Sequence, residues 1–228
     1  MILKKIIKRV VKNLFGREVC DFPLAVIAWA DVISFDMYDT LIFRSCGDAN
    51  AVFKEVEKQW NNIHNQYISG FALKRAVAEK KAKKSCKREI NLKDIYNEID
   101  GYRITELEEL YDYEIKKEID TAELNNEMYE LYKKCIETGK KIVIMSDMYM
   151  PKVVLETILR NHGIVDYDEI FVSGDVGESK QSGKLYKKVL SEQIGSYGNI
   201  LHIGDNVYSD FLMARIMGIK AILYSRKL

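Results

Sequence analysis

The chain has 228 residues, 47% of them hydrophobic, a net charge of +1 and two prolines. Those values fit a soluble globular protein of one or two domains with a real core. A near-neutral balance gives no case for nucleic-acid binding, and no apolar run approaches the ~20 residues that cross a bilayer.

The first stretch, "MILKKIIKRVVKNLF", has apolar residues at 2, 3, 6, 7, 10, 11, 14 and 15, with Lys4, Lys5, Lys8, Arg9 and Lys12 between them. This spacing predicts an amphipathic helix with a wholly basic polar face. Such a helix suits an anionic membrane surface, packing on its own protein, or contact with a partner protein. "PLAVIAWADVISF" follows, interrupted by Asp31, and reads as a buried turn and a strand. The strand "DVISFD" ends in carboxylates, Asp36 and Asp39, followed by Thr40.

Residues 47–138 read as helical, with segments near 50–66, 71–88, 92–99, 104–119 and 122–138 carrying apolar residues three and four apart. Asp48 and Thr121 are expected N-caps and Gly139 an expected stop. Charge is segregated: 72–88 holds eight basic residues and one acid, 106–127 nine acids and two lysines. Two solvated helix faces that attract each other account for this; a basic face toward an anionic substrate is the sharper reading. The tyrosines of 96–132 are expected to pack these helices.

From 140 onward strands alternate with helices: "KIVIMS", a helix opened by Pro151, "EIFVSG", "SGKLYKKVLSEQI", "NILHIGD", "NVYSDFLMARIMG" and "KAILYS". With "DVISFD" this predicts an α/β fold, a doubly wound parallel sheet of five strands. The expected organisation is a basic N-terminal helix over 1–20, a core over 21–46 and 139–228, and a helical insertion over 47–138. Cys20, Cys46, Cys86 and Cys135 have no metal or redox spacing and read as free thiols in a reducing cytoplasm. His64 and His162 likewise show no ligand spacing, and His202, inside a strand, reads as a packed core histidine.

In open α/β sheets ligands bind beyond the carboxyl ends of the strands. Asp36 and Asp39, Ser146 and Asp147, Lys180 through its loop, and Asp205, Asn206 and Asp210 all fall there. Converging carboxylates repel unless a cation sits among them, and oxygen-rich sites of this kind suit Mg²⁺. A lysine and a hydroxyl beside them hold an anion, which completes a phosphoryl-transfer site.

These segments resemble the haloacid dehalogenase-like (HAD) hydrolase superfamily over roughly residues 31–225. "FDMYDTL" is similar to its first motif, "IVIMSD" to the second, "GESKQSGKLY" to the third and "LHIGDNVYSD" to the fourth. The insertion resembles a type-one cap, and the wording of the motifs is similar to a branch found with bacterial surface-polysaccharide biosynthesis. The resemblance implies a Rossmann-like core and hydrolysis of a small phosphorylated metabolite, such as a sugar phosphate or nucleotide-activated sugar, in the cytoplasm or at a membrane periphery.

It further implies that Asp36 is the nucleophile. Lys180, Ser146 and Thr40 would then balance charge on phosphoryl oxygens. Asp36, the Tyr38 carbonyl and Asp205 would hold Mg²⁺, with Asp210 supporting the metal's waters or orienting Lys180. One position departs: Tyr38 stands where most phosphatases of this family have an aspartate acid–base two residues after the nucleophile. Asp39, where the family usually has glycine, is the candidate substitute. Tyrosine at this position also resembles the haloacid dehalogenases themselves, which attack carbon and need no metal. A catalytically weak binding module is the remaining alternative.

Overall fold

The computed structural model describes residues 2–64, 67–193 and 198–226, without the side chains of 2–4 and 192–193. The expected helix ends at 65–66 and 194, and the faces contributed by Ile2, Leu3 and Lys4, therefore lie outside the described residues. Helix α1 (Ile2–Phe15) runs straight into a two-residue strand, β1 (Gly16–Arg17). After one 3₁₀ turn comes α2 (Leu24–Trp29), a short helix where the sequence suggested a turn. The first central strand is β2 (Val32–Asp36), followed by β3 (Ile42–Arg44).

The insertion holds α3 (Ala49–Ile63), α4 (Phe71–Ser85), α5 (Leu92–Tyr96) and α6 (Ile104–Asp120). It closes with β4 (Ala122–Leu124), which pairs antiparallel with β3. Asp48 caps α3 as expected, its side chain accepting from the Ala51 N–H at 3.0 Å. Thr121 is a correction: it ends α6 instead of starting a helix, because the next three residues are drawn into the β3–β4 ribbon. Helix α7 (Asn126–Glu137), read as part of the insertion, packs on the strand β5 (Lys141–Ser146) and buries Met128, Leu131, Tyr132 and Cys135.

The rest alternates: α8 (Lys152–Asn161), β6 (Glu169–Val172), α9 (Ser173–Val176), α10 (Lys184–Gln193), β7 (Ile200–Gly204), a π-helical segment over Val207–Met213, α11 (Ala214–Ile216) and β8 (Lys220–Tyr224). The sheet order is β1-β8-β7-β2-β5-β6, all parallel. It therefore has six strands instead of the expected five. The extra edge strand, Gly16–Arg17, is two residues long and has no apolar run to announce it.

Burial on both faces explains the continuous apolar strands. Ile33, Phe35, Ile142, Ile144 and Ile203 feed one core cluster. Their alternating neighbours Val32, Val143 and Met145 feed a second. Each such side chain contributes roughly 1.5–3 kcal/mol by leaving water. The chain order reverses at β2, which lies between β5 and β7. The carboxyl ends of three adjacent strands thus deliver Asp36, Ser146 and Asp205 to one crevice.

Candidate active site

Asp36 is the last residue of β2; it pairs with Met145 of β5, and the preceding Phe35 pairs with both neighbouring strands. Asp36 is 7% exposed, and its carboxylate pairs with the Lys180 ammonium. That ammonium also lies 2.8 Å from Asp210 Oδ1. Thr40 Oγ1 donates to Asp36 Oδ2 at 3.2 Å. A cavity of about 180 Å³ opens beside them, and its wall includes Ser146, Met148, Asn206 and Ser209. The wall carries five carboxylates, from Asp36, Asp39, Asp147, Asp205 and Asp210, against two cations, Arg44 and Lys180.

Burial and mutual charge perturb the four groups at the centre, Asp36, Lys180, Asp205 and Asp210. Burial pushes the Asp36 carboxyl well above its usual range, and Lys180 offsets only part of that. Burial opposes the Lys180 charge, but Asp210 and Asp36 outweigh it and hold the ammonium protonated. Asp210 is the opposite case: despite burial, Lys180 and His202 keep it below the usual range. Asp205 is raised to about 7, first by burial and then by Asp210 and Asp39.

One carboxylate oxygen each from Asp36, Asp205 and Asp210 lies within 4.8 Å of the others. Hard oxygen donors with uncompensated negative charge are the donor set that Mg²⁺ takes, so the residues present fit the ion.

The supporting groups explain why the chain folds this way locally. Gly204 ends β7, and a Cβ there would meet the Asp210 carboxyl carbon at 2.6 Å, so glycine allows Asp210 its close approach. Asp210 Oδ2 accepts from the Asn206 N–H at 2.9 Å, and Oδ1 takes the His202 ring nitrogen at 3.3 Å as well as Lys180. Asp147 accepts from the N–H groups of Lys180 (2.7 Å) and Gln181 (3.2 Å), which fixes the loop that aims the lysine.

The structure thus brings Asp36, Thr40, Ser146, Lys180, Asp205 and Asp210 together. Thr40 is fully buried with its hydroxyl on Asp36, and the cavity wall does not include it. Asp39 is exposed at the rim with φ +61°, the left-handed region that favours glycine. The Tyr38 ring lies under the Arg44 guanidinium, 4.0 Å from its centroid. Burial raises the Tyr38 phenol well above its usual range, with Glu118 adding to this, so it stays neutral.

Three roles escaped the sequence reading. His202 is a core histidine, as expected, but it also joins Ser34 (2.9 Å) to Asp210; burial keeps it neutral. Asp147 positions Lys180. Arg44 reaches the cavity wall while its Nε and Nη2 hold Glu118 of α6 at 2.7 and 2.6 Å. The usable signal for His202 was register: Ser34 and His202 pair directly across β2 and β7.

Comparisons with known proteins bear on the family and the fold. Residues 30–218 match the family described as haloacid dehalogenase-like hydrolase. No curated protein matches. Similar solved structures include YfnB of Bacillus subtilis, described as a HAD-hydrolase bound to magnesium (16% identity, 84% of this chain and 87% of that one, TM-score 0.60). A 2-haloacid dehalogenase of Pseudomonas syringae pv. Tomato matches at 15% identity over 86% of each chain, TM-score 0.60. A protein described as a β-phosphoglucomutase of Thermotoga maritima matches at 13% identity over 87% of each, TM-score 0.58. At such identities the structures establish the fold, and the family match carries the assignment: this chain belongs to the haloacid dehalogenase-like hydrolases.

Proposed function

We propose that the protein is a Mg²⁺-dependent phosphatase or phosphotransferase that works through an aspartyl-phosphate at Asp36. Its substrate is a small phosphorylated metabolite, a sugar phosphate or a nucleotide-activated sugar. The observation that carries this reading is the triad of carboxylate oxygens from Asp36, Asp205 and Asp210 within 4.8 Å of one another, beside a buried lysine. A metal-free attack on carbon has no use for so much negative charge around the nucleophile.

Asp36 and Asp205, with the Tyr38 carbonyl, would hold Mg²⁺, which when bound neutralises the carboxylates and the phosphoryl oxygens. Asp36 attacks phosphorus in line; the Asp36 oxygen–phosphorus bond forms as the bond to the leaving oxygen breaks. Lys180 and the Ser146 hydroxyl balance charge on the phosphoryl oxygens. Water then attacks phosphorus and releases Asp36 with inorganic phosphate. Asp210, whose two oxygens already accept from Lys180, His202 and Asn206, acts as a positioning residue for Lys180.

Tyr38 is a poor acid–base, being buried and raised, so a leaving group that departs without a proton, such as a diphosphate, is favoured over a simple alkoxide. Asp39 at the rim is the available carboxylate for that proton. Arg44, held by Glu118 and stacked on Tyr38, faces the remaining anionic groups of the substrate. The insertion serves as a type-one cap over the crevice, and a place in surface-polysaccharide synthesis fits a sugar-phosphate substrate.

The test is a phosphatase assay over sugar phosphates and nucleotides, with and without Mg²⁺, beside Asp36→Asn. Mg²⁺-dependent phosphate release lost in the variant supports the reading. Metal-free chloride release from 2-chloropropionate assigns the protein to the dehalogenases, and no turnover of any substrate assigns it to binding.

A further inference from the structure

Helix α1 turns its apolar face away from the protein. Ile6, Val10 and Leu14 are 53%, 48% and 65% exposed, and Ile7 is 38% exposed. At 100° per residue these four share one side of the helix, and Lys5, Lys8 and Arg9 line the other. Among the described side chains of the helix, the packed edge holds Val11 against the second core cluster, Phe15 with its ring 5.4 Å from that of Phe211, and the half-buried Lys12.

The helix is nevertheless fixed to the catalytic domain. Gly16, directly after it, pairs with Leu223 at the sheet edge. A Cβ at Gly16 would meet the Lys12 carbonyl oxygen at 2.4 Å, so the junction is too tight for any other residue without movement. The element that α1 packs on, Val207–Met213, is the one that carries Asp210. An uncovered apolar face is thus held against the segment that supplies Ser209 and Asp210 to the wall of the crevice.

Charge identifies what covers it. Five basic residues and no acid lie in 2–15, so the helix carries a strong positive charge of its own in a chain whose net charge is only +1. Fourteen residues rise about 21 Å, short of the ~30 Å hydrocarbon core, so the helix cannot cross a bilayer. A second copy of this chain would meet the basic flank with the same positive charge. An anionic membrane interface satisfies both faces at once, with acyl chains under the apolar side and headgroups at the basic flanks.

We propose that α1 lies in the headgroup layer of an anionic membrane and holds the catalytic crevice at the bilayer surface.

The test is co-sedimentation of the full chain with vesicles of phosphatidylglycerol and phosphatidylcholine, and with phosphatidylcholine alone. The proposal expects binding to the anionic vesicles at least about tenfold tighter than to the neutral ones, weakened by added salt. It expects the double variant Ile6→Asp, Leu14→Asp to bind the anionic vesicles at least about tenfold more weakly. That variant keeps the thermal midpoint and the turnover of a soluble substrate, because both side chains are exposed and neither touches the crevice. Equal binding to both vesicles, or none to either, overturns the proposal. So does a dimer in solution that the double variant dissociates, which would assign the face to a second copy. Neither result bears on the chemistry at Asp36, so the two readings fail separately.

Discussion

Two of the buried charge clusters in this molecule differ in balance and access. In the insertion, Arg75 of α4 meets Glu114 of α6 through two hydrogen bonds of 2.8 and 2.7 Å. Both side chains are fully buried; Tyr96 donates to Glu114 at 2.9 Å, and the Arg75 guanidinium lies over the rings of Phe53 and Tyr149. At the crevice, one lysine serves Asp36 and Asp210 while Asp205 stays raised beside them, and a cavity opens on the group. The first cluster matches one buried cation to one buried anion, with the half-buried Glu79 also 3.5 Å from the guanidinium, in a closed packing, and reads as a clamp. The second leaves negative charge unmatched where a ligand can enter. Burial of charge does not mark a site by itself; imbalance beside an opening does.

Substitutions should separate the two. Asp36→Asn is expected to lower turnover by more than about 10⁴-fold, as loss of a nucleophile does, and to leave the thermal midpoint unchanged or raised, since the removed carboxyl is strained by burial. Steady-state kinetics and thermal melts check both. Glu114→Ala reverses the pattern. It strands a buried guanidinium and is expected to cost about 3–5 kcal/mol in chemical denaturation, with turnover kept at a temperature where the protein stays folded.

Metal removal comes next. Mg²⁺ at about a hundredfold over its dissociation constant should stabilise the protein by about 2.7 kcal/mol. EDTA should remove that gain, and Asp205→Asn should abolish it. A gain that survives in Asp205→Asn would move the metal away from the crevice.

The sheet and its strand-end residues were legible in the sequence because two physical signals overlap there. Strands buried on both faces must be apolar throughout, and a polar cluster that breaks such a run at its carboxyl end has few structural excuses. "DVISFD" and "NILHIGD" carry both signals. The clamp was not legible. Arg75 and Glu114 sit among eight basic residues and nine acids, and only the packing of α4 and α6 shows which pair is buried. Arg44 and Glu118 were hidden in the same way, one on a short ribbon strand and the other 74 residues away. The Gly16–Arg17 strand was missed because two residues carry no period.

Smaller effects sharpen the contrast inside the site itself. His202→Phe should lower kcat about tenfold with little change in KM, because it frees Asp210 and so loosens Lys180. Partial recovery in His202→Gln, whose amide nitrogen reaches Asp210, would distinguish positioning from packing. Asp39→Gly should stabilise the fold by about 0.5–1 kcal/mol, since glycine takes the left-handed backbone at φ +61° without strain. A fall in kcat in the same variant, steepest for substrates with alkoxide leaving groups, would assign Asp39 the proton.

The claim beneath all of this is that Asp36 bonds to phosphorus and that water then attacks phosphorus. A single turnover in heavy-oxygen water, followed by mass spectrometry of the Asp36 peptide and of the released phosphate, tests it most directly. The account predicts the label in phosphate and none in the Asp36 carboxylate. Label in the Asp36 carboxylate would mean that water attacked an ester carbonyl, the signature of substitution at carbon, and would contradict it.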